Sequence, residues 1–136
     1  MPVRIVPRAA RRAIAAVLAM ALAALTGGTA AGAQSRRDFT VTADHFAFRV
    51  SGPDAAEIRV VLGDLVRVTF DARDIPHSFT TVESTPHYRI DRRAEPGKPV
   101  TFEFRADQAG TVPIRCTLAT DAKCRQMTLS LVVDGK

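Results

Sequence analysis

The chain has 136 residues, with 2 Cys, 3 His, no Trp, and 19 Lys+Arg against 14 Asp+Glu. A sequence pI near 10.0 suggests a nucleic acid or an acidic membrane surface as partner, yet Arg4, Arg8, Arg11 and Arg12 all fall in the opening segment. Without them the balance is 15 cations against 14 anions, and no Lys/Arg-rich run remains, so charge-driven binding to nucleic acid is not expected.

Those four arginines lead into Ala13 to Leu25, an apolar run of 13 residues, followed by small residues at the Ala31-x-Ala33 spacing. The pattern is that of a secretory signal peptide over residues 1–33, cut after Ala33. The apolar run is shorter than the roughly 20 residues that a membrane-spanning helix needs. The expected mature chain is residues 34–136, one periplasmic or secreted domain with no stable membrane insertion. Its length suffices for a single core, and an oxidising compartment allows its two cysteines to pair.

Residues 34–37 read as a polar lead-in. From Asp38 the apolar pattern has period two: Phe39, Val41 and Ala43, then Phe46, Phe48 and Val50. Gly63-Asp64 separates two further strands, the second of which aligns Val66, Val68 and Phe70 on one face. Strands follow in "HSFTTVE", "PVTFEFRA", "GTVPIRCTL" and "MTLSLVVDG". Turn residues separate them at Ser84-Thr85-Pro86, Glu95-Pro96-Gly97 and Asp107 to Gly110, and a helical turn is placed at Ala106 to Ala109. Short strands rich in Val, Ile, Thr and Phe, at this spacing and without helical periodicity, predict an all-β antiparallel sandwich.

Side chains suited to soft metal chemistry lie in two segments: His77 in "IPHSF", and Cys116, Cys124 and Met127 in "CTLATDAKCRQM". Imidazole suits copper and zinc, while thiolate and thioether favour copper. Cys116 ends a core strand just before a loop, a position from which a sulfur reaches the pole of a sandwich.

These segments, with "GDLVRVTFDARDIPHSFT" and "YRIDRRAEPGKPVTFEFRADQAGTVPIRC", resemble the cupredoxins, especially the type in subunit II of cytochrome c oxidase and related small periplasmic proteins. The likeness runs from about Ala55 to Val133. It implies a Greek-key β-sandwich or barrel of about seven or eight strands, binding one copper ion that cycles between Cu(I) and Cu(II). Carried over residue by residue, it makes His77 a copper ligand, Cys116 the thiolate and Met127 a further ligand. The sequence departs from the family at two positions: the second family histidine falls on Cys124, and the extra cysteine of the binuclear oxidase centre falls on Thr120. His45 or His87 would have to stand in for the missing imidazole in a two-histidine set.

Two readings of the cysteines therefore stand side by side. Both are thiolate ligands, which gives a His77, Cys116, Cys124, Met127 set favouring Cu(I). Alternatively they form a disulfide across the nine-residue span 116–124, which the chain-entropy relation values at about 2.6 kcal/mol. A pair that releases metal on oxidation combines the two. No nucleophile–base pair, phosphate loop or defined carboxylate pair marks an enzyme. The expected role is one-electron transfer or copper handling with a redox or copper-delivery protein, for which Arg89, Arg92 and Arg93 offer steering charge. The rival is a metal-free binding or structural module stapled by Cys116 and Cys124.

Overall fold

A computed structural model of the chain describes residues 35–52, 56–81, 87–119 and 121–136. The expected leader, the turn at Ser84-Thr85-Pro86 and Thr120 lie outside the described residues. Nine strands form: β1 (Arg36–Asp44), β2 (Ala47–Val50), β3 (Glu57–Val61), β4 (Leu65–Ala72), β5 (His77–Thr81), β6 (Asp91–Ala94), β7 (Val100–Arg105), β8 (Gly110–Arg115) and β9 (Thr128–Asp134). They make two sheets, ordered β2-β1-β4-β7 and β3-β9-β8-β5-β6. Among the described residues no helix is long and apolar enough to cross a membrane.

The sandwich is as expected, with nine strands rather than seven or eight. It is not purely antiparallel. β1 runs parallel to β4, with Val41 beside Phe70, and β3 runs parallel to β9, with Ile58 beside Leu131. Period-two patterning tells which face of a strand is buried but carries no information on direction. β1 also begins at Arg36, two residues before the expected start, because its ladder with β4 extends to Leu65. No helical turn forms at Ala106 to Ala109. Instead Ala106 donates its N–H to the Asp64 carbonyl and accepts from Gly63 N–H, at 2.9 and 2.7 Å, so this segment is tied to the β3–β4 turn. The one helical turn among the described residues is a 3-10 turn at Cys124–Gln126.

Inward positions of both sheets fill the core. Val41, Ala43, Val66, Val68, Phe70, Phe79, Ile114 and Leu131 are all buried. Phe79 stacks between Phe70 and Phe102, at centroid distances of 5.8 and 5.2 Å. It lies two residues along β5 from His77, on the same face, so the aromatic layer is the floor on which the start of that strand rests.

The β1–β2 connection is a two-residue turn, His45-Phe46, with φ of +49° and +59°. Positive φ at both central residues is the type I′ geometry that matches strand twist and that Asn-Gly usually supplies. Here two bulky residues occupy it, at a cost of roughly 1–2 kcal/mol each. The turn takes Phe46 out of the strand face it would share with Phe48 and Val50, and aims it at the sandwich pole.

Phe79→Ala should lower stability by about 3–5 kcal/mol, with an unchanged denaturant slope, in equilibrium urea unfolding.

Candidate metal centre

Two loops, β4–β5 and β8–β9, meet where β5 begins. The β4–β5 loop, Arg73 to Pro76, ends in Pro76, whose ring biases Ile75 toward extended backbone. The chain therefore enters β5 sharply, and His77, its first residue, turns fully inward with 0% exposure. From the neighbouring strand β8 the chain passes into Cys116, also 0% exposed. The 3-10 turn brings back Cys124, 1% exposed.

His77 Nδ1 stands 3.9 Å from Cys116 Sγ and 3.7 Å from Cys124 Sγ. One donor atom from each of these residues falls within 4.8 Å of the others. On the far side of the ring, Nε2 is 2.8 Å from Asp74 Oδ1. An ionised carboxylate only accepts, so Nε2 carries the proton and donates it, which leaves the Nδ1 lone pair facing the sulfurs. Asp74 also accepts from the N–H groups of Ile75 and His45, at 2.8 and 3.0 Å. Partial burial alone would raise the Asp74 pKa; the hydrogen bonds from His77, Ile75 and His45 outweigh it and hold the carboxyl at about 2.

Cys116 Sγ accepts from the Ser78 N–H at 3.4 Å, a contact that stabilises sulfur carrying negative charge. The following residue is anchored too: Thr117 N–H donates to Ser78 Oγ at 2.8 Å, and Thr80 Oγ1 links Ser78 Oγ to the Asp91 carboxylate, at 3.1 and 3.0 Å. Above the site the ring of Phe46 meets His77 edge-on, with 6.2 Å between centroids. Met127 is buried directly after the 3-10 turn, its N–H bonded to the Cys124 carbonyl at 3.1 Å.

Cys116 and Cys124 are joined by a disulfide with Cα atoms 5.2 Å apart, inside the usual range. Disulfide and metal site are alternative uses of the same sulfurs, since a ligand must be a thiolate. Reduction would leave two sulfurs beside the Nδ1 lone pair, within 4.8 Å of one another and at most 1% exposed, a donor set that fits a soft ion such as Cu(I). The two stand-in histidines do not join the site. His45 has an 87% exposed side chain and bonds Asp44 through Nδ1 at 2.8 Å, while His87 is exposed beside Tyr88 and Arg89 at the seam of the two sheets.

Four contributors have no sequence signature of their own. Asp74 precedes His77 by three residues and reads as an ordinary turn acid. Phe46 fits the strand period, Ser78 reads as a strand hydroxyl, and Lys123, whose ammonium lies over the Phe46 ring, reads as solvated surface. Only the closure of the loops shows what they touch.

No family model matches the chain. Over 71 residues, 52% of the chain, it is 35% identical to cytochrome c oxidase subunit 2 of Thermostichus vulcanus, and it spans 20% of that protein's length. Its fold superposes on the periplasmic domain of subunit II of cytochrome oxidase from Bradyrhizobium japonicum with a TM-score of 0.61 and 17% identity, covering 73% of this chain and 84% of that one. A subunit II domain in mixed disulfide with a thioredoxin-like protein gives 0.60, also at 17% identity, covering 73% and 82%. Auracyanin A, a blue copper protein of Chloroflexus aurantiacus, gives 0.55 at 18% identity, covering 74% of this chain and all of that one.

A pH titration of stability tests the Asp74 hydrogen bonds. With a folded pKa of about 2 against an ordinary 3.8, their contribution is complete above about pH 4 and is lost as pH falls toward 2. Asp74→Asn should flatten that part of the stability–pH curve relative to the parent. In its two sheets of four and five strands, the chain has the fold shared by the subunit II periplasmic domain and auracyanin A, the cupredoxin-like fold.

Proposed function

We propose that this is a periplasmic copper-binding protein acting in one-electron transfer or copper handling, with His77, Cys116, Cys124 and Met127 as the ligand set. The observation that carries the reading is the meeting of an oriented imidazole nitrogen and two sulfurs within 4.8 Å, in a space closed to water. Copper supplies the Cu(I)/Cu(II) couple when bound. His77 offers Nδ1, held by Asp74. Cys116 offers a sulfur already hydrogen-bonded by Ser78 N–H, and Cys124 offers the second. Met127 is buried at the end of the turn that delivers Cys124, where a thioether serves as an added soft donor. The sheets keep these groups in place through any change of oxidation state, which limits reorganisation. Donors that are at most 2% exposed leave no place for a substrate beside them, which supports a role other than catalysis.

Two thiolates favour Cu(I) and shift the balance toward copper retention and delivery. They also make reduction of the Cys116–Cys124 bond a condition of binding. We therefore infer a thiol-reducing redox partner, in keeping with the subunit II domain held in mixed disulfide with a thioredoxin-like protein. The second reading is a metal-free interaction module, favoured by the disulfide itself.

Intact mass under native and then denaturing conditions separates the two. A copper adduct that disappears on denaturation and leaves two free thiols is the expected result after mild reduction. A metal-free mass lacking two hydrogens, unchanged by reductant and added Cu(I), overturns it in favour of the module. His77→Ala and Cys116→Ser should each abolish stoichiometric copper binding by the reduced protein, while circular dichroism shows the sheets retained. Full copper retention in either variant would remove that residue from the site.

A further inference from the structure

His77, Cys116 and Cys124 are sealed, none more than 1% exposed. A thiol reaches the disulfide only if something moves. The half-buried Phe46 ring stands on His77 at 88° between planes, and the Lys123 ammonium lies 5.5 Å from the centroid of the same ring. Lys123 directly precedes Cys124. One ring therefore links the two arms of the site, the start of β5 and the 3-10 turn.

The hairpin that carries Phe46 and the 3-10 turn are both lightly held. The hairpin tip has two non-glycine residues at positive φ and is tied to the β4–β5 loop by the His45 N–H to Asp74 Oδ2 bond of 3.0 Å. The 3-10 turn closes on itself, with Cys124 N–H on the Asp121 carbonyl and Gln126 N–H on the Lys123 carbonyl. Its Lys123, Arg125 and Gln126 are exposed. Segments with local bonds and exposed side chains open at lower free energy than sheet strands.

We propose that Phe46 is the door to the Cys116–Cys124 pair and that Lys123 is its latch, so that displacement of the ring is the step that admits an external thiol. With dithiothreitol as reductant, one of its sulfurs attacks the disulfide and breaks the S–S bond. Its second thiol then closes the reagent's own disulfide. The reagent loses two electrons and two protons, and the protein gains two thiols. The inference rests on burial and sulfur chemistry, so it stands apart from copper binding.

The test is the rate of thiol appearance in the purified protein after dithiothreitol addition, trapped by alkylation and counted by mass. Phe46→Gly suits the positive φ and removes the ring; it should speed reduction by about tenfold, with little loss in melting temperature. Phe46→Leu keeps an apolar cover and should stay within roughly threefold of the parent. Lys123→Ala should speed reduction about two- to fivefold, and Lys123→Arg should leave it unchanged. Val112→Ala, a cavity in the middle of β8, lowers global stability without touching the door. If rates simply follow melting temperature across all these variants, the thiol enters by global unfolding and the door is overturned. A parental rate in Phe46→Gly overturns it as well.

Discussion

The imidazole of His77 is the group on which the rest of the site depends. A fully buried ring with two polar nitrogens must satisfy both, and here each meets a different chemistry. Nε2 meets a carboxylate, Nδ1 meets sulfur. Because Asp74 fixes which nitrogen keeps the proton, the face offered to Cys116 and Cys124 is decided before any ion arrives. The carboxylate is in turn held by two backbone N–H groups, one of them from the strained β1–β2 hairpin. Strain in that turn and order at His77 are thus two ends of one hydrogen-bonded unit.

The disulfide and the proposed metal set are alternative uses of the same two sulfurs, and their energetics differ in kind. The disulfide restricts the unfolded chain over a short span and asks nothing of Asp74. The dithiol asks for everything around it: a donor N–H on Cys116, a lone pair on His77, and exclusion of water. A module that needed only a staple would have no use for the Ser78 N–H or for an imidazole oriented at both sulfurs. This apparatus is what the proposed copper reading rests on.

Much of this was legible in the sequence. Period-two runs located the strands within two residues at most ends, and the resemblance to cupredoxins singled out His77, Cys116 and Cys124, whose donor atoms the fold brings within 4.8 Å of one another, together with Met127, which is buried just after the turn that carries Cys124. Strand direction was not legible, since the pairing of β1 with β4 and of β3 with β9 is decided by elements distant in sequence. Nor was the turn at Ala106 to Ala109, where a fully buried alanine traded a helical bond for two bonds to Gly63 and Asp64. Asp74, Phe46, Ser78 and Lys123 escaped for a shared reason. Each has an ordinary local explanation, and its role exists only across loops that approach in space.

The position of β9 carries a consequence for the order of events. Thr128–Asp134 follows the cysteine loop in sequence, yet it lies inside the five-stranded sheet, between β3 and β8. That sheet is interrupted until β9 seats between its neighbours, and non-local pairing of this kind is slow. Through all of that interval Cys116 and Cys124 are close in sequence but not enclosed. Oxidation of the pair is therefore easiest during assembly, and in the finished sandwich any further thiol exchange waits on an opening of the site.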